Sequence, residues 1–307
     1  MYDSERKNNI YKIENLGYHI GEFVKLQSKD TTQYNYSYIL NKFCKYCQDN
    51  DIYELRKDNI KSILLKYKSY LLNKQSLAST SIDNYILRVQ SFLSYLNLPV
   101  KIKKLNSNKT KNYKYLTFDE IKLLINSIPG ITDKEVLITR NKAIILSLFT
   151  AGLRVSELCN LKIDDYCTKD NISYFLVRGK GRASDEREWI AIPRTTSTAI
   201  DEYLKLAENN EYLFVSYNGN QLSRQAIDSM LRNLSEYVDS VNGTDLSSRV
   251  SSHSFRHSLA RYLLVDKNVP ISQVKDVLRH SNIETTAQYL RNSNEEITNL
   301  RRNFLKI

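Results

Sequence analysis

At 307 residues, with 41% apolar side chains, the chain is long enough to bury two cores, and its 45 Lys and Arg against 34 Asp and Glu leave a net charge of +11. No apolar run approaches the roughly 18 to 20 residues of a membrane span, and the opening MYDSERKNNI is polar and charged, unlike a secretory leader. Four unevenly placed cysteines (Cys44, Cys47, Cys159, Cys167) make no disulfide framework, so a membrane protein and a disulfide-built secreted one are excluded and a cytoplasmic protein is expected.

The surplus cation lies towards one end. Residues 1–113 carry 19 Lys and Arg against 10 Asp and Glu, whereas residues 114–307 carry 26 against 24. Every phosphate that a cation neutralises releases counterions and adds sequence-independent affinity, so the imbalance points to nucleic acid, gripped chiefly by the N-terminal part.

In chain order, residues 1–98 read as helical. TTQYNYSYILNKFCKYC, DNIKSILLKYKSYLL and STSIDNYILRVQSFLSYL each carry apolar groups at three- and four-residue spacing behind a polar cap, and a weaker helix near NLGYHIGEFVKLQS makes four. Cys44 and Cys47 form a C-x-x-C within the second of these, with no further pair or histidine at metal spacing, so they read as structural thiols. Pro99 stops the last helix, and residues 99–113 read as a basic linker in which residues 101–113 hold five lysines and no acid.

A second domain, residues 114–307, opens at LTFDEIKLLINSI, where Thr117 and Glu120 have capping-box spacing. VLITRNKAIILSLFTAG reads as a buried helix ended by Gly152. ISYFLVRG and EWIAIP are short β-rich runs on either side of GKGRASDER, a hairpin pattern with Lys180 between two glycines at its tip. The remainder reads as helix, which gives a mostly α fold with a small β-sheet (α+β).

Three stretches carry polar groups that packing alone does not require: AGLRVSEL (151–158), VRGKGRASDER (177–187) and SSHSFRH (251–257). Arg154 directly follows the glycine stop, so a turn between helices holds it. His253 and Arg256, three apart on a helix, share a face, while His257 points about 100° from Arg256. Three of the four histidines, His253, His257 and His280, fall within 28 residues. In LRHSNIETTAQYL (278–290) the Ser-Asn pair at 281 and 282 reads as the end of one helix and the cap of the next, leaving His280 at the turn and Tyr289 two turns into the new helix.

Together these stretches resemble the boxes of the tyrosine recombinase (phage-integrase) family, and among its branches the two-domain layout is most similar to the Xer-type site-specific recombinases. The resemblance implies a helical core-binding domain over residues 1–98 and a catalytic domain over 114–307. It implies a catalytic set of Arg154, Lys180, His253, Arg256, His280 and the nucleophile Tyr289. One residue departs from the pattern: Arg279 stands where family members commonly have Gly, which puts the local backbone in question and offers an extra phosphate contact as the alternative.

On this reading the chain cleaves and rejoins DNA through a covalent 3′-phosphotyrosyl intermediate, which stores the bond energy and needs no cofactor and no metal. Tyr289 must lose its proton as it attacks; His253 is the candidate acceptor, and Lys180 the donor to the 5′-oxygen leaving group. Arg154 and Arg256 stabilise charge on the five-coordinate phosphorus, and His280 hydrogen-bonds a phosphate oxygen. The implied partners are double-stranded DNA at a recombination site and further copies of the chain in a tetramer on DNA, with the solution state and an accessory protein left open. The role is chromosome dimer resolution or mobile-element integration and excision. The tail, with Ile297, Leu300, Phe304 and Ile307 on one stripe, is expected to dock on a neighbouring protomer. A type IB topoisomerase shares the chemistry without strand exchange, a cleavage-dead DNA-binding repressor would not need the intact set, and a metal nuclease would need clustered carboxylates that these motifs lack.

Overall fold

The computed structural model describes residue 5 and residues 7–74, 77–105, 114–178, 187–208, 210–280 and 282–287. The sequence-predicted Lys180, Tyr289 and tail stripe lie outside the described residues. The chain divides into two compact units, residues 1–110 and 111–307. Among the described residues no helix is long and apolar enough to cross a membrane.

In the first unit a two-residue strand β1 (Tyr11–Lys12) pairs antiparallel with β2 (Glu54–Leu55), and four helices follow the predicted order: α1 (Leu16–Lys25), α2 (Asp30–Asp49), α3 (Ile60–Lys74) and α4 (Ser79–Tyr95). Their apolar faces meet in one core that includes Leu40, Phe43, Leu64, Tyr67, Val89 and Phe92. Cys44 and Cys47 both point into this core as free thiols, and burial pushes the Cys47 thiol up to about 12, so neither is a reactive thiolate at neutral pH. The stretch expected to be a linker from Pro99 onwards differs in its first part. Val100, Ile102 and Leu105 alternate with lysines and pack on the first unit's core, with Gln90 Nε2 donating to the Val100 carbonyl (2.8 Å) and Leu105 N–H donating to Asp83 (3.0 Å). A charge count cannot see that apolar residues at 100, 102 and 105 stand between the lysines there.

The second unit begins with α5 (Phe118–Asn126), and Thr117 and Glu120 close the capping box reciprocally at 3.2 and 2.7 Å. The long helix α6 (Glu135–Thr150) is buried on most sides of its C-terminal half, where residues 143–149 are almost entirely apolar. The short α7 (Val155–Cys159) follows the turn at Gly152. Strands β3 (Tyr166–Lys169), β4 (Ile172–Arg178) and β5 (Arg187–Ile192) form an antiparallel meander whose register runs from Tyr166 opposite Phe175 to Arg178 opposite Arg187. Ser173, Phe175 and Val177 face inward at the strand period of two.

Helices α8 (Arg194–Leu204) and α9 (Arg224–Asn242) follow, and Gly243, in the left-handed region, ends α9. Next comes α10 (Ser252–Arg261), which runs into a π turn over Tyr262–Asp266, and then α11 (Ile271–Val277) and α12 (Ile283–Ala287). Helix α6 packs against α8 and α10, and the segment leading into α5 is tied to α10 by Leu116 N–H donating to Ser258 Oγ at 2.7 Å. This brings three segments distant in sequence to one place: the 151–154 turn, the first turns of α10, and the 278–280 turn after α11.

Candidate active site

The 151–154 turn begins with a steric requirement. Gly152 has φ +56°, and a Cβ there would lie 2.9 Å from Leu259 Cδ2 and 3.2 Å from Leu278 Cδ2. A side chain would face both a left-handed backbone and two packed leucines, so glycine is what allows α6 to stop against α10 and the 278 turn. Two residues later Arg154 is extended (φ −72°, ψ 146°) and caps α7. The Glu157 carboxylate accepts from Arg154 N–H at 2.8 Å and from its Nη1 at 2.6 Å. This is half of a capping box; arginine has no acceptor with which to complete it.

Helix α10 starts on Ser251, whose Oγ accepts from Ser254 N–H at 3.2 Å. Arg256, the bulkiest of the fully buried side chains, is 1% exposed. Its Nη1 donates to the Gly152 carbonyl and its Nη2 to the Leu278 carbonyl, so one planar guanidinium fastens both turns to the helix. His253 keeps an exposed face one turn earlier. His257, directed away from Arg256 by the helical spacing, meets His253 instead: the rings are 4.4 Å apart at 81°, the i, i+4 neighbours of one helix.

In the third segment α11 ends at Val277, with Leu278 as its cap and Arg279 as the left-handed residue after it, rather than at the predicted Ser-Asn pair. Arg279 N–H donates to Asp276 O (2.9 Å) and His280 N–H to Lys275 O (3.0 Å), with Arg279 at φ +55°. Asn282 does cap α12, its Oδ1 accepting from Glu284 N–H at 2.9 Å. His280 stands at the turn, its Nδ1 2.9 Å from the hydroxyl of Thr286, which is fully buried.

A left-handed arginine costs about 1–2 kcal/mol relative to glycine. Three polar contacts of its side chain and backbone offset that cost: Nη2 reaches Glu157 Oε2 at 2.9 Å, Nη1 reaches the Ala151 carbonyl at 3.4 Å, and its own carbonyl accepts from Arg154 Nη2 at 3.4 Å. The Arg279 side chain is only 8% exposed and turned inward onto Glu157, which corrects the expectation of an added phosphate contact.

The electrostatics are those of a surplus of fixed cation. Burial by itself would raise the Glu157 carboxyl, but the charge of Arg279, with hydrogen bonds from Arg154, holds it below the usual carboxylate range. The histidines move the other way. Desolvation, then Arg256 and Arg154, lowers His253; desolvation, then His253, Arg256 and His280, brings His257 to about 3; desolvation, then Arg256 and Arg154, brings His280 to about 4. All three imidazoles are therefore neutral at pH 7, able to accept a proton or to share one hydrogen, while the positive charge stays on the guanidiniums.

Of the six sequence-predicted residues, Arg154, His253, Arg256 and His280 gather around the 152 and 278 turns; Lys180, in the segment joining β4 to β5, and Tyr289, after α12, lie outside the described residues. The sequence reading gave no role to His257 and did not single out Glu157 or Thr286. Glu157 had a signal, the three-residue spacing of an acidic cap after Arg154, and so did His257, four residues after His253; Thr286 had none.

The family model described as the phage integrase family matches residues 114–296. The chain is 32% identical over 221 residues to tyrosine recombinase XerA of Pyrococcus horikoshii, covering 71% of each protein. It is 28% identical over 300 residues to tyrosine recombinase XerD of Halalkalibacterium halodurans, covering 90% of this chain and 94% of that one. Among solved structures, the fold is similar to the Tn1549 transposon integrase in complex with a circular intermediate DNA (TM-score 0.73, 16% identity, 96% of this chain and 99% of that one). It is also similar to XerH bound to its palindromic difH substrate (TM-score 0.69, 19% identity, 87% and 78%).

Proposed function

The chain belongs to the phage integrase family, and on that premise we propose a role for each residue of its site. It is a tyrosine site-specific recombinase: it cleaves and rejoins DNA strands through a covalent phosphotyrosyl intermediate, in dimer resolution or in integration and excision. Its partner is a DNA recombination site.

Tyr289 is the nucleophile. Arg154 and Arg256 stabilise the extra negative charge that appears on the phosphorus oxygens in the transition state. Arg256, clamped on two backbone carbonyls, supplies a charge that needs no reorganisation when the reaction begins. Neutral His253, with its open face, takes the tyrosine proton; neutral His280, oriented by Thr286, donates to a phosphate oxygen. Lys180 protonates the leaving 5′-oxygen. The observation that carries this reading is the convergence of two guanidiniums on the Gly152, Leu278 and Arg279 carbonyls, from segments more than 100 residues apart, close enough to His253 and His280 that their charge helps keep both imidazoles neutral.

Residues 1–98 are the core-binding half, residues 99–113 join it to the catalytic half (114–307), residues 1–113 together supply much of the salt-dependent grip, and the tail from 296 docks in trans within a tetramer on DNA. Wild-type cooperativity of tetramer assembly after deleting residues 296–307 would remove that last element.

The test of the chemistry is Tyr289→Phe, which removes only the attacking oxygen. On a nicked suicide substrate the variant should bind its site and form no covalent protein–DNA adduct; persistence of the adduct would place the nucleophile elsewhere.

A further inference from the structure

Glu157 is a buried carboxylate, 6% exposed, shared by two arginines: its Oε1 takes Arg154 Nη1 at 2.6 Å and its Oε2 takes Arg279 Nη2 at 2.9 Å. The two cations are not equivalent. Arg154 is 24% exposed and can turn towards a phosphate, whereas Arg279 is 8% exposed and hemmed in by the Ala151 carbonyl. If Arg154 left Glu157 for DNA with no other cation present, a charged carboxylate would remain buried and unpaired, the arrangement that costs most in a protein interior. With Arg279 in place, Glu157 keeps a partner throughout.

We infer that Arg279 is a positioning residue: the standing counter-ion of Glu157, which releases Arg154 to the scissile phosphate. Resting on the recombinase reading, this explains why a non-glycine residue occupies φ +55° at 279. The chain accepts a strained backbone there because the side chain does what glycine cannot, which is to neutralise the carboxylate that would otherwise hold Arg154 back. Among the described residues, three guanidiniums and one carboxylate leave two formal positive charges beside three neutral imidazoles. A five-coordinate phosphorane carries two negative charges, so this surplus of cation favours the transition state over the singly charged ground state.

Arg279→Gly suits the left-handed backbone, so the variant keeps its fold, and its thermal unfolding checks this. On a suicide substrate it should slow adduct formation by about 10- to 100-fold, the scale of a misplaced catalytic group, while single-site affinity changes far less. Arg279→Lys, which keeps a cation at the same place, should recover part of the rate. In the Arg279→Gly background, Glu157→Gln removes the carboxylate that traps Arg154, so the double variant should react as fast as Glu157→Gln alone. Wild-type cleavage by Arg279→Gly, equal losses in affinity and rate, or purely additive effects in the double variant would each overturn the inference. A wild-type chain that forms no adduct would instead refute the functional reading beneath it.

Discussion

Among the described residues, each unit holds a buried carboxylate among polar partners, and the two are built to opposite ends. In the first unit Glu5 is closed off: His19 Nε2 lies 2.9 Å from one oxygen, while Asn15 Nδ2 at 2.9 Å and Lys12 N–H at 3.1 Å donate to the other. Tyr11 packs edge-on against the His19 ring at 5.1 Å, and His19 is fully buried. In the second unit Glu157 faces two arginines, one of them partly exposed, with a third guanidinium and three imidazoles nearby. The Glu5 network pins the strand entry to α1 and spends its polar capacity internally. The Glu157 network leaves cation over, held beside the 152 and 278 turns. A buried charge is thus no mark of function in itself; what distinguishes the site is charge left unbalanced on the protein's own side.

That contrast breaks first at the arginines. Arg154→Lys or Arg256→Lys keeps the charge and loses the planar fork, and single-turnover cleavage should fall by about 10²-fold or more, with DNA affinity changing much less. Parallel losses in both would make the two residues ordinary phosphate anchors and erase the distinction from Glu5.

The complementary change is Glu5→Gln. Hydrogen bonds from His19, Asn15 and Lys12 outweigh burial and hold the Glu5 carboxyl below its ordinary range, so the charged form is the one the fold uses. Gln should destabilise the first unit by about 1–3 kcal/mol in chemical denaturation, the cost of disrupting a buried hydrogen-bonded group, and leave the cleavage rate at saturating DNA unchanged. A cleavage defect without a stability change would show the closed network to be functional after all.

The smallest expected effect is on pH dependence. His257 and His280 are held at about 3 and about 4 in the fold, below the ordinary 6.5, so the unfolded chain takes up protons that the native state refuses. Their contribution to stability is complete above about pH 6.5 and is lost as the pH falls towards the folded values. Glu120 and Glu157, held below the carboxylate value of 4.5, erode stability only at more acidic pH, so the fall in melting temperature between pH 7 and 5 reports the histidines. His257→Gln should flatten that fall; an unchanged slope would mean the ring is solvated in the folded state.

Local physics was legible early. Helix periodicity, the Thr117–Glu120 capping box, the glycine stop at 152 and the Asn282 cap each involve residues within about four positions of one another, and their outcome is decided by short-range sterics and hydrogen bonds. The motifs that carry the resemblance also named Arg154, His253, Arg256 and His280, which converge. Where the reading fell short, a partner was distant. The packing of Val100, Ile102 and Leu105 depends on a core surface built by other helices, and the end of α11 depends on what Arg279 can reach.

The amino-acid sequence by itself determined the long helices and the β4–β5 pair, though not the short strands β1, β2 and β3, together with where the cationic excess lies and which side chains are chemically equipped to move a phosphate. Only the tertiary structure decided that Arg256 fastens to Gly152 across 104 residues, that Arg279 reaches Glu157 across 122, and that a left-handed arginine is tolerated for that contact. The physical reason is range. Propensity and capping energies act over a turn or two, whereas a buried ion pair exists only once packing has excluded water from both partners.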